Sequence, residues 1–116
     1  MSDRVHVHPS TLHMQWERND LRVPDVKVKI AEYANTYRIP MEFDEFESVA
    51  RTLVTACKKY HGDVTIPNEF VRELARDRIS STMMYADNVN RRLIPAYNAY
   101  FYNCVPGDWR VKLGEW

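Results

Sequence analysis

Three histidines near the N-terminus are the first residues whose types and spacing suggest chemistry. His6, His8 and His13 form the pattern His-x-His-x4-His. On a strand, His6 and His8 would project to one side, as two ligands of a metal ion can. His61 and Asp63 are distant in sequence, so no further ligand follows at a typical spacing. We favour three solvated histidines and predict no metal and no cofactor; a metal-dependent enzyme is the last alternative.

Motifs for other kinds of catalysis are missing from the sequence. It contains no Gly-x-Ser-x-Gly, His-Glu-x-x-His or Gly-x-Gly-x-x-Gly, and its three glycines cannot supply a glycine-rich phosphate loop. His61 and Asp63 flank Gly62 at a predicted helix end, which favours a turn over a catalytic pair. The acids Asp44 and Glu47 lie on a face shared with lysines and arginines, which is typical of a solvated surface. We therefore predict that the protein is not an enzyme.

A polar face near the C-terminus offers the types of side chain that bind partners. Its members on the predicted last long helix are Asn88, Arg91, Arg92, Asn98 and Tyr102. Such residues contact phosphates and bases, and they are equally common in protein interfaces. With Arg110 and Lys112 they suggest a modest basic-aromatic patch, so nucleic-acid or nucleotide binding through Arg91, Arg92 and Arg110 is the second hypothesis. Sixteen basic and sixteen acidic residues balance to zero net charge, which disfavours it.

Aromatic side chains are concentrated at the C-terminus. Six of the fourteen lie in the last twenty positions: Tyr97, Tyr100, Phe101, Tyr102, Trp109 and Trp116. Large apolar side chains of a terminal segment must fold back onto the domain or dock on something else. We predict binding of another protein, or of a second copy, through this tail and the outer face of the last helix. The predicted contact residues are Trp109, Trp116, Tyr102, Arg91, Arg92 and Arg110.

Length and composition indicate one globular domain that spans residues 1–116. Hydrophobic residues make up 45% and charged residues 28%, and no apolar run approaches the length of a membrane helix. Without a recognisable leader, and with Cys57 and Cys104 interpreted as buried reduced thiols, we expect a cytoplasmic location; a disulfide is the alternative. Small helical proteins with aromatic tails recur among adaptor, accessory and assembly proteins, including viral ones.

Hydrophobic periodicity predicts the first two long helices. Residues 43–62 place one apolar arc opposite a charged face, with Gly62 positioned for a left-handed cap. A preceding helix opens at Pro24 and ends by Pro40, and the short connection predicts antiparallel neighbours. The inward-facing residues of the two helices are Val26, Ile30, Tyr33, Ala34, Tyr37, Phe43, Phe46, Val49, Ala50, Leu53, Val54, Ala56, Cys57 and Tyr60.

Weaker patterns predict the remaining elements. A third helix follows Pro67, with Phe70, Val71, Leu74, Ala75 and Ile79 inward. Residues 83–104 form a helix kinked at Pro95, or two shorter helices, and its methionines Met83 and Met84 are expected in the core. Residues 10–20 suggest a short helix with Leu12 and Trp16. The alternation of Trp109, Val111 and Leu113 predicts an extended segment, and a ribbon pairing with Val5 and Val7 is one hypothesis for it.

The sequence thus predicts an all-α bundle of three to four main helices with short extended N- and C-terminal segments. Residues 1–22 form an arm with a possible short helix, 24–104 the helical core and 105–116 the tail. The predicted core residues are Phe46, Val49, Leu53, Ile30, Tyr33, Phe70, Leu74, Val89, Leu93 and Phe101.

Overall fold

The computed structural model describes residues 7–62, 69–76, 82–84, 86 and 88–114. Within these residues the regular elements are all helical and no β-strand occurs, so the protein is all-α. The elements in chain order are α1 (Pro9–Glu17), α2 (Val23–Thr36), a 3-10 turn (Phe43–Glu45), α3 (Phe46–Tyr60), α4 (Glu69–Ala75), α5 (Asn88–Arg92), α6 (Ile94–Cys104) and α7 (Trp109–Gly114).

Helix α1 confirms the predicted short N-terminal helix. His8 has an extended backbone, and its Nδ1 accepts a hydrogen bond from the Ser10 N–H at 3.1 Å, which caps the helix ahead of Pro9. Leu12 and Trp16 are fully buried one turn apart. Because these two residues point to the same side, the helix lies on the core through a single apolar edge.

Helices α2 and α3 pack against each other, as their short connection predicts. Helix α2 ends at Thr36, where Arg38 adopts a left-handed φ of 58°. Helix α3 ends at Tyr60, and Gly62 with φ of 80° is the predicted left-handed cap. The buried apolar side chains of both helices follow the predicted stripes; they are Val26, Ile30, Ala34, Phe46, Val49, Ala50, Leu53, Ala56 and Cys57. Lys29 and Lys59 are buried as well, which the stripes did not predict.

The predicted apolar stripes of α2 and α3 each include one residue that lies outside the α-helix. Phe43 is 50% exposed and Tyr37 is also exposed, although both were assigned to the core face. Phe43 belongs to the 3-10 turn, in which each residue advances by about 120° instead of about 100°, so an α-helical projection misplaces it. Tyr37 lies just past the end of α2, where the chain has already left the helical path.

The segment that contains Pro95 forms two helices, the second of the two predicted alternatives. Leu93 interrupts the run with φ of −99° and ψ of 10°. Hydrogen bonds still bridge the break, because the Leu93 N–H donates to the Val89 carbonyl at 3.2 Å and Tyr97 donates to Leu93 at 2.8 Å. Helix α6 therefore continues the buried stripe through Tyr97, Phe101 and Cys104. Met83 and Met84 are exposed, so their assignment to the core was wrong.

The C-terminal segment is the largest correction. Trp109–Gly114 is helix α7, not an extended strand, and it packs on α4 and α3. On a strand Val111 would share a side with Trp109 and Leu113, but Val111 is 62% exposed while the other two are buried. The ribbon pairing with the N-terminus fails with the strand; Val5 lies outside the described residues.

The core forms where α1, α2, α3 and α6 meet. The Trp16 ring makes edge contacts with Tyr60 and Phe101 at centroid distances of 5.5 and 6.0 Å. Of the ten predicted core residues, Tyr33 and Val89 are only partly buried and the others are buried. In the part of the chain that the structure covers, no helix combines the length and apolar character needed to cross a membrane.

Candidate functional site

Trp109, one of the predicted contact residues, lies in the core of a single chain. Its ring is 4% exposed and stacks on Phe101 at 4.2 Å with an interplanar angle of 15°. The guanidinium carbon of Arg110 lies 4.6 Å from the centre of the same ring. A ring held in this way stabilises the fold and is not available as an exposed anchor. Trp116, the other tail tryptophan, lies outside the described residues.

Two arginines fix helix α7 onto α4. Arg110 donates a hydrogen bond to the Ala75 carbonyl at 3.3 Å, and Arg76 Nε donates to the Gly114 carbonyl at 2.5 Å. The helices approach so closely that a Cβ atom on Gly114 would lie 3.3 Å from Arg76 Cγ. Arg110 is thus used within the molecule, and α7 is a docked helix of the domain.

A polar latch holds the start of α7 against the end of α3. The Tyr60 hydroxyl donates to Asp108 Oδ1 at 2.6 Å, and Lys112 Nζ lies 3.7 Å from the other oxygen of that carboxylate. Lys112 also lies 4.5 Å from the centre of the Tyr60 ring. Partial burial, together with the neighbouring Asp108 carboxylate, raises the pKa of Tyr60. The phenol therefore stays a hydrogen-bond donor throughout the physiological pH range.

The solvent side of α5 and α6 carries the exposed part of the predicted contact residues. Arg91, Pro95, Asn98 and Tyr102 follow the three-and-four spacing of one helical face, which we call the α5–α6 outer face. Tyr102 is 74% exposed, whereas Asn98 is half-buried. Arg91 donates to the Ala86 carbonyl at 3.3 Å, which holds its guanidinium close to the helix.

The arginines predicted to bind nucleic acid are distributed over two parts of the fold. Arg91 and Arg92 lie on α5, which packs on α6, while Arg110 lies on α7, which packs on α3 and α4. Arg92 donates to the Asn88 carbonyl at 3.4 Å and pairs with Glu45 at 3.7 Å. Each of the three guanidinium groups already contacts a carbonyl oxygen, a carboxylate or an aromatic ring, and the Glu45 carboxylate offsets the charge of Arg92.

The described histidines have structural roles. His8 caps α1, and His13 Nδ1 lies 3.0 Å from the Glu17 carboxylate on the next turn. His61 Nε2 lies 2.6 Å from the Trp16 carbonyl, which can only accept, so this nitrogen carries the proton. Over the described ranges no group of three His, Cys, Asp or Glu side chains could hold a metal ion. His6 lies outside these ranges.

A buried polar cluster between α2 and α6 was not predicted from the sequence. The Tyr33 hydroxyl and Cys104 Sγ are 3.7 Å apart, and Lys29 Nζ pairs with Glu32 at 2.8 Å. Lys29 also lies 5.6 Å from the centre of the Tyr33 ring. A signal was present, because Lys29 follows Val26 by three residues and precedes Tyr33 by four, on the apolar stripe.

Both thiols are free and buried, which agrees with the preferred interpretation of the two cysteines. Burial raises the pKa of Cys104 to about 11, although the Tyr33 hydrogen bond and the Lys29 charge oppose the shift. A neutral, enclosed thiol is a poor nucleophile. The cluster therefore forms a polar contact between α2 and α6, and its thiol is protonated at neutral pH.

An open groove runs beside the C-terminal half of α2 and the connection to α3. Its volume is about 920 Å³, and we call it the α2–α3 groove. Glu32, Asn35 and Thr36 supply polar lining. The other lining residues are apolar and include Val28, Ala31, Ile39, Met41, Phe43 and Phe46, although polar atoms contribute as much of the exposed lining as apolar atoms do. The sequence pattern did not predict this groove, because it places Phe43 in the interior.

Comparison with known proteins adds no assignment: no family model, no curated protein and no solved structure matches this chain.

Proposed function

We propose that this chain is a non-catalytic helical domain that binds another protein through the α5–α6 outer face. The exposure of Tyr102 carries the proposal: 74% of its surface faces solvent at one end of a stripe that also contains Arg91, Pro95 and Asn98. Within α6 the stripe from Pro95 to Tyr102 covers seven helical steps, which correspond to roughly 10 Å. Tyrosine and arginine are enriched among the residues that dominate interface energetics.

The C-terminal tail has a smaller part in this proposal than the sequence suggested. Trp109 supports the core, so the exposed members of α7 are Val111 and Lys112. Binding through Trp116 stays a prediction, because this residue lies outside the described part of the chain. An adaptor or assembly role, with a different protein or a second copy as partner, is the functional class that such a surface suits.

Nucleic-acid binding is the less supported alternative. Arg92 is paired with Glu45, and Arg110 is engaged by the Trp109 ring and the Ala75 carbonyl. Phosphate contacts would have to displace these partners, and the sequence as a whole has no excess of positive charge. A polarisation titration with labelled single-stranded and duplex oligonucleotides at low salt tests it, and a flat response would end it.

Photo-crosslinking from the surface itself tests the main proposal. A benzophenone amino acid is placed at position 102 in one variant and at position 14 in another, since Met14 is 48% exposed on α1. We expect a discrete crosslinked product from position 102 only. The protein identified by mass spectrometry is then purified, and its affinity for the wild-type chain is compared with Tyr102→Ala and Met14→Ala.

The proposal requires a loss of affinity of at least about tenfold in Tyr102→Ala and little change in Met14→Ala. Equal products from both positions, or equal affinities for the two variants, would contradict it. Light scattering of the wild-type chain separates the two kinds of partner, because a concentration-dependent dimer that Tyr102→Ala abolishes identifies a second copy.

A further inference from the structure

The α2–α3 groove has walls that are fixed before any partner arrives. The Ile39 N–H donates to the Ala34 carbonyl at 2.8 Å and holds the connection against the end of α2. Glu42 and Glu45 form a reciprocal capping box around the 3-10 turn. A groove set by backbone hydrogen bonds needs little ordering on binding, which lowers the entropic cost of association.

Phe43 forms an exposed wall of this groove in a defined orientation. Its ring meets Phe46 edge-on at 6.4 Å, and Lys27 Nζ lies 4.6 Å from its centre. Half of its surface still faces solvent. Contacts with Phe46 and Lys27 orient this ring, and another side of it is open to solvent. An apolar side chain of a partner can cover the open side without rearranging the neighbours of the ring.

The charges around the groove are asymmetric. Residues 27–47 contain five acidic and three basic side chains, although the whole chain has none in excess. Lys27 pairs with Glu47 at 3.2 Å and Lys29 pairs with Glu32 at 2.8 Å, so each pair neutralises a carboxylate as well as a lysine, and Glu45 pairs with Arg92 at 3.7 Å. Glu42 and Asp44, on either side of Phe43, are exposed. Glu32 is the carboxylate among the lining residues, and the exposed Glu42 and Asp44 flank the lining residue Phe43, with Arg38 as an exposed cation in the same segment.

We propose that the α2–α3 groove binds an amphipathic helical segment of a partner protein whose apolar face is flanked by lysine or arginine. Apolar side chains of that segment cover Phe43, Ile39 and Met41, and its cations meet Glu42 and Asp44. A groove with apolar side chains in its walls and carboxylates beside it suits such a helix. The groove is open along one side, which suits an elongated chain better than a small molecule, since small ligands are mostly enclosed.

The lining of this groove contains no residue of the α5–α6 outer face, although Arg92 of α5 pairs with Glu45 of the 3-10 turn at 3.7 Å. Each proposal is therefore tested with its own variants and can fail alone. The probe is a fluorescein-labelled 14-residue helical peptide made only of leucine and lysine in amphipathic order, titrated with the full-length chain at low salt. The matched probe has glutamate in place of every lysine. We expect the lysine peptide to bind at least about tenfold more tightly than the glutamate peptide, and the difference to shrink as salt is added.

Variants locate the binding. Phe43→Ala and Asp44→Lys should each weaken binding of the lysine peptide by about tenfold or more, while Tyr102→Ala leaves it unchanged. Both substituted side chains are exposed, and circular dichroism checks that each variant keeps the helix content of the wild type. Amide chemical shifts of Ile39, Met41 and Phe43 should move when the peptide is added.

Four outcomes would overturn the inference. The first is equal binding of the two peptides, and the second is unchanged affinity in both Phe43→Ala and Asp44→Lys. The third is a wild-type dimer in light scattering that Phe43→Ala converts to monomer, because the groove would then be occupied by a second copy. Loss of peptide binding in Tyr102→Ala would also contradict it, since that result assigns the peptide to the other surface.

Discussion

Two aromatic side chains next to turns of the chain have opposite environments. Trp109 begins α7. Its ring stacks on Phe101 and also contacts the guanidinium group of Arg110. Phe43 begins the 3-10 turn before α3 and is half exposed beside an open groove. Both side chains are large and apolar, so their own chemistry does not explain the difference.

The difference comes from what covers each turn. Helix α7 folds back onto α3 and α4, and its own contacts close the region around Trp109. At the other turn the connection between α2 and α3 is held by backbone bonds and by the carboxylates of Glu42 and Glu45, which leave apolar surface uncovered. Polar capping fixes the path of a turn, but only apolar packing removes the ring from water.

Replacing Trp109 should have the largest effect on stability. Trp109→Ala removes a buried, stacked ring, and we expect the free energy of unfolding to fall by about 3–5 kcal/mol. Urea denaturation followed by circular dichroism measures it. The matched control is Val111→Ala in the same helix, which should change stability by no more than about 0.5 kcal/mol because Val111 is exposed. Equal losses in the two variants would mean that α7 does not close the core.

The sequence predicted the long amphipathic elements well because their apolar residues repeat at the helical period over many turns. In α3, Val49, Leu53 and Ala56 are buried where the pattern places them, and Gly62 supplies the expected cap. The same periodicity does not identify short elements. Trp109, Val111 and Leu113 alternate as in a strand, but residues 109 and 113 are also one helical turn apart. A six-residue helix that is stabilised by tertiary packing leaves no periodic signal to separate the two periods.

The candidate sites were harder to predict because they depend on which elements meet. Nothing local marks Trp109 as a partner of Phe101, since the stacking requires the turn at Gly107 and Asp108 to bring α7 back onto the core. The α2–α3 groove is likewise a product of chain geometry. Its exposed wall, Phe43, fits the apolar arc of an ideal helix, and only the 3-10 turn removes it from that arc.

Replacing Phe43 should cost much less stability than replacing its neighbour. Phe43→Ala loses about half of the transfer free energy of a phenylalanine, and we expect a decrease of about 1 kcal/mol in the free energy of unfolding. Phe46→Ala is the matched variant three residues later, and its buried ring should cost about 3–5 kcal/mol. Calorimetry or urea denaturation measures both variants. If the free energy of unfolding falls more in Phe43→Ala than in Phe46→Ala, the Phe43 ring is covered in solution and the contrast with Trp109 disappears.

The smallest effect expected concerns the latch that joins α3 to α7. Tyr60→Phe keeps the ring near Trp16 and Lys112 but removes the hydrogen bond to Asp108. The bond is accessible to water, so we expect a decrease of about 0.5–1 kcal/mol in the free energy of unfolding at pH 7. A change below experimental error would show that apolar packing of Trp109 alone holds α7.

The pH dependence of the Tyr60→Phe effect tests the latch directly. Burial and Asp108 raise the pKa of Tyr60 in the folded chain, so the fold holds this proton more tightly than the unfolded chain does. The contribution is complete below the unfolded pKa of about 10 and is lost as pH rises beyond it. Tyr33, Tyr100 and Cys104 also have raised pKa values, so the wild type and Tyr60→Phe both lose stability at alkaline pH. Only the difference between their unfolding free energies reports on Tyr60. That difference in unfolding free energy should shrink between about pH 10 and pH 11; a constant or growing difference would place the phenol outside the latch.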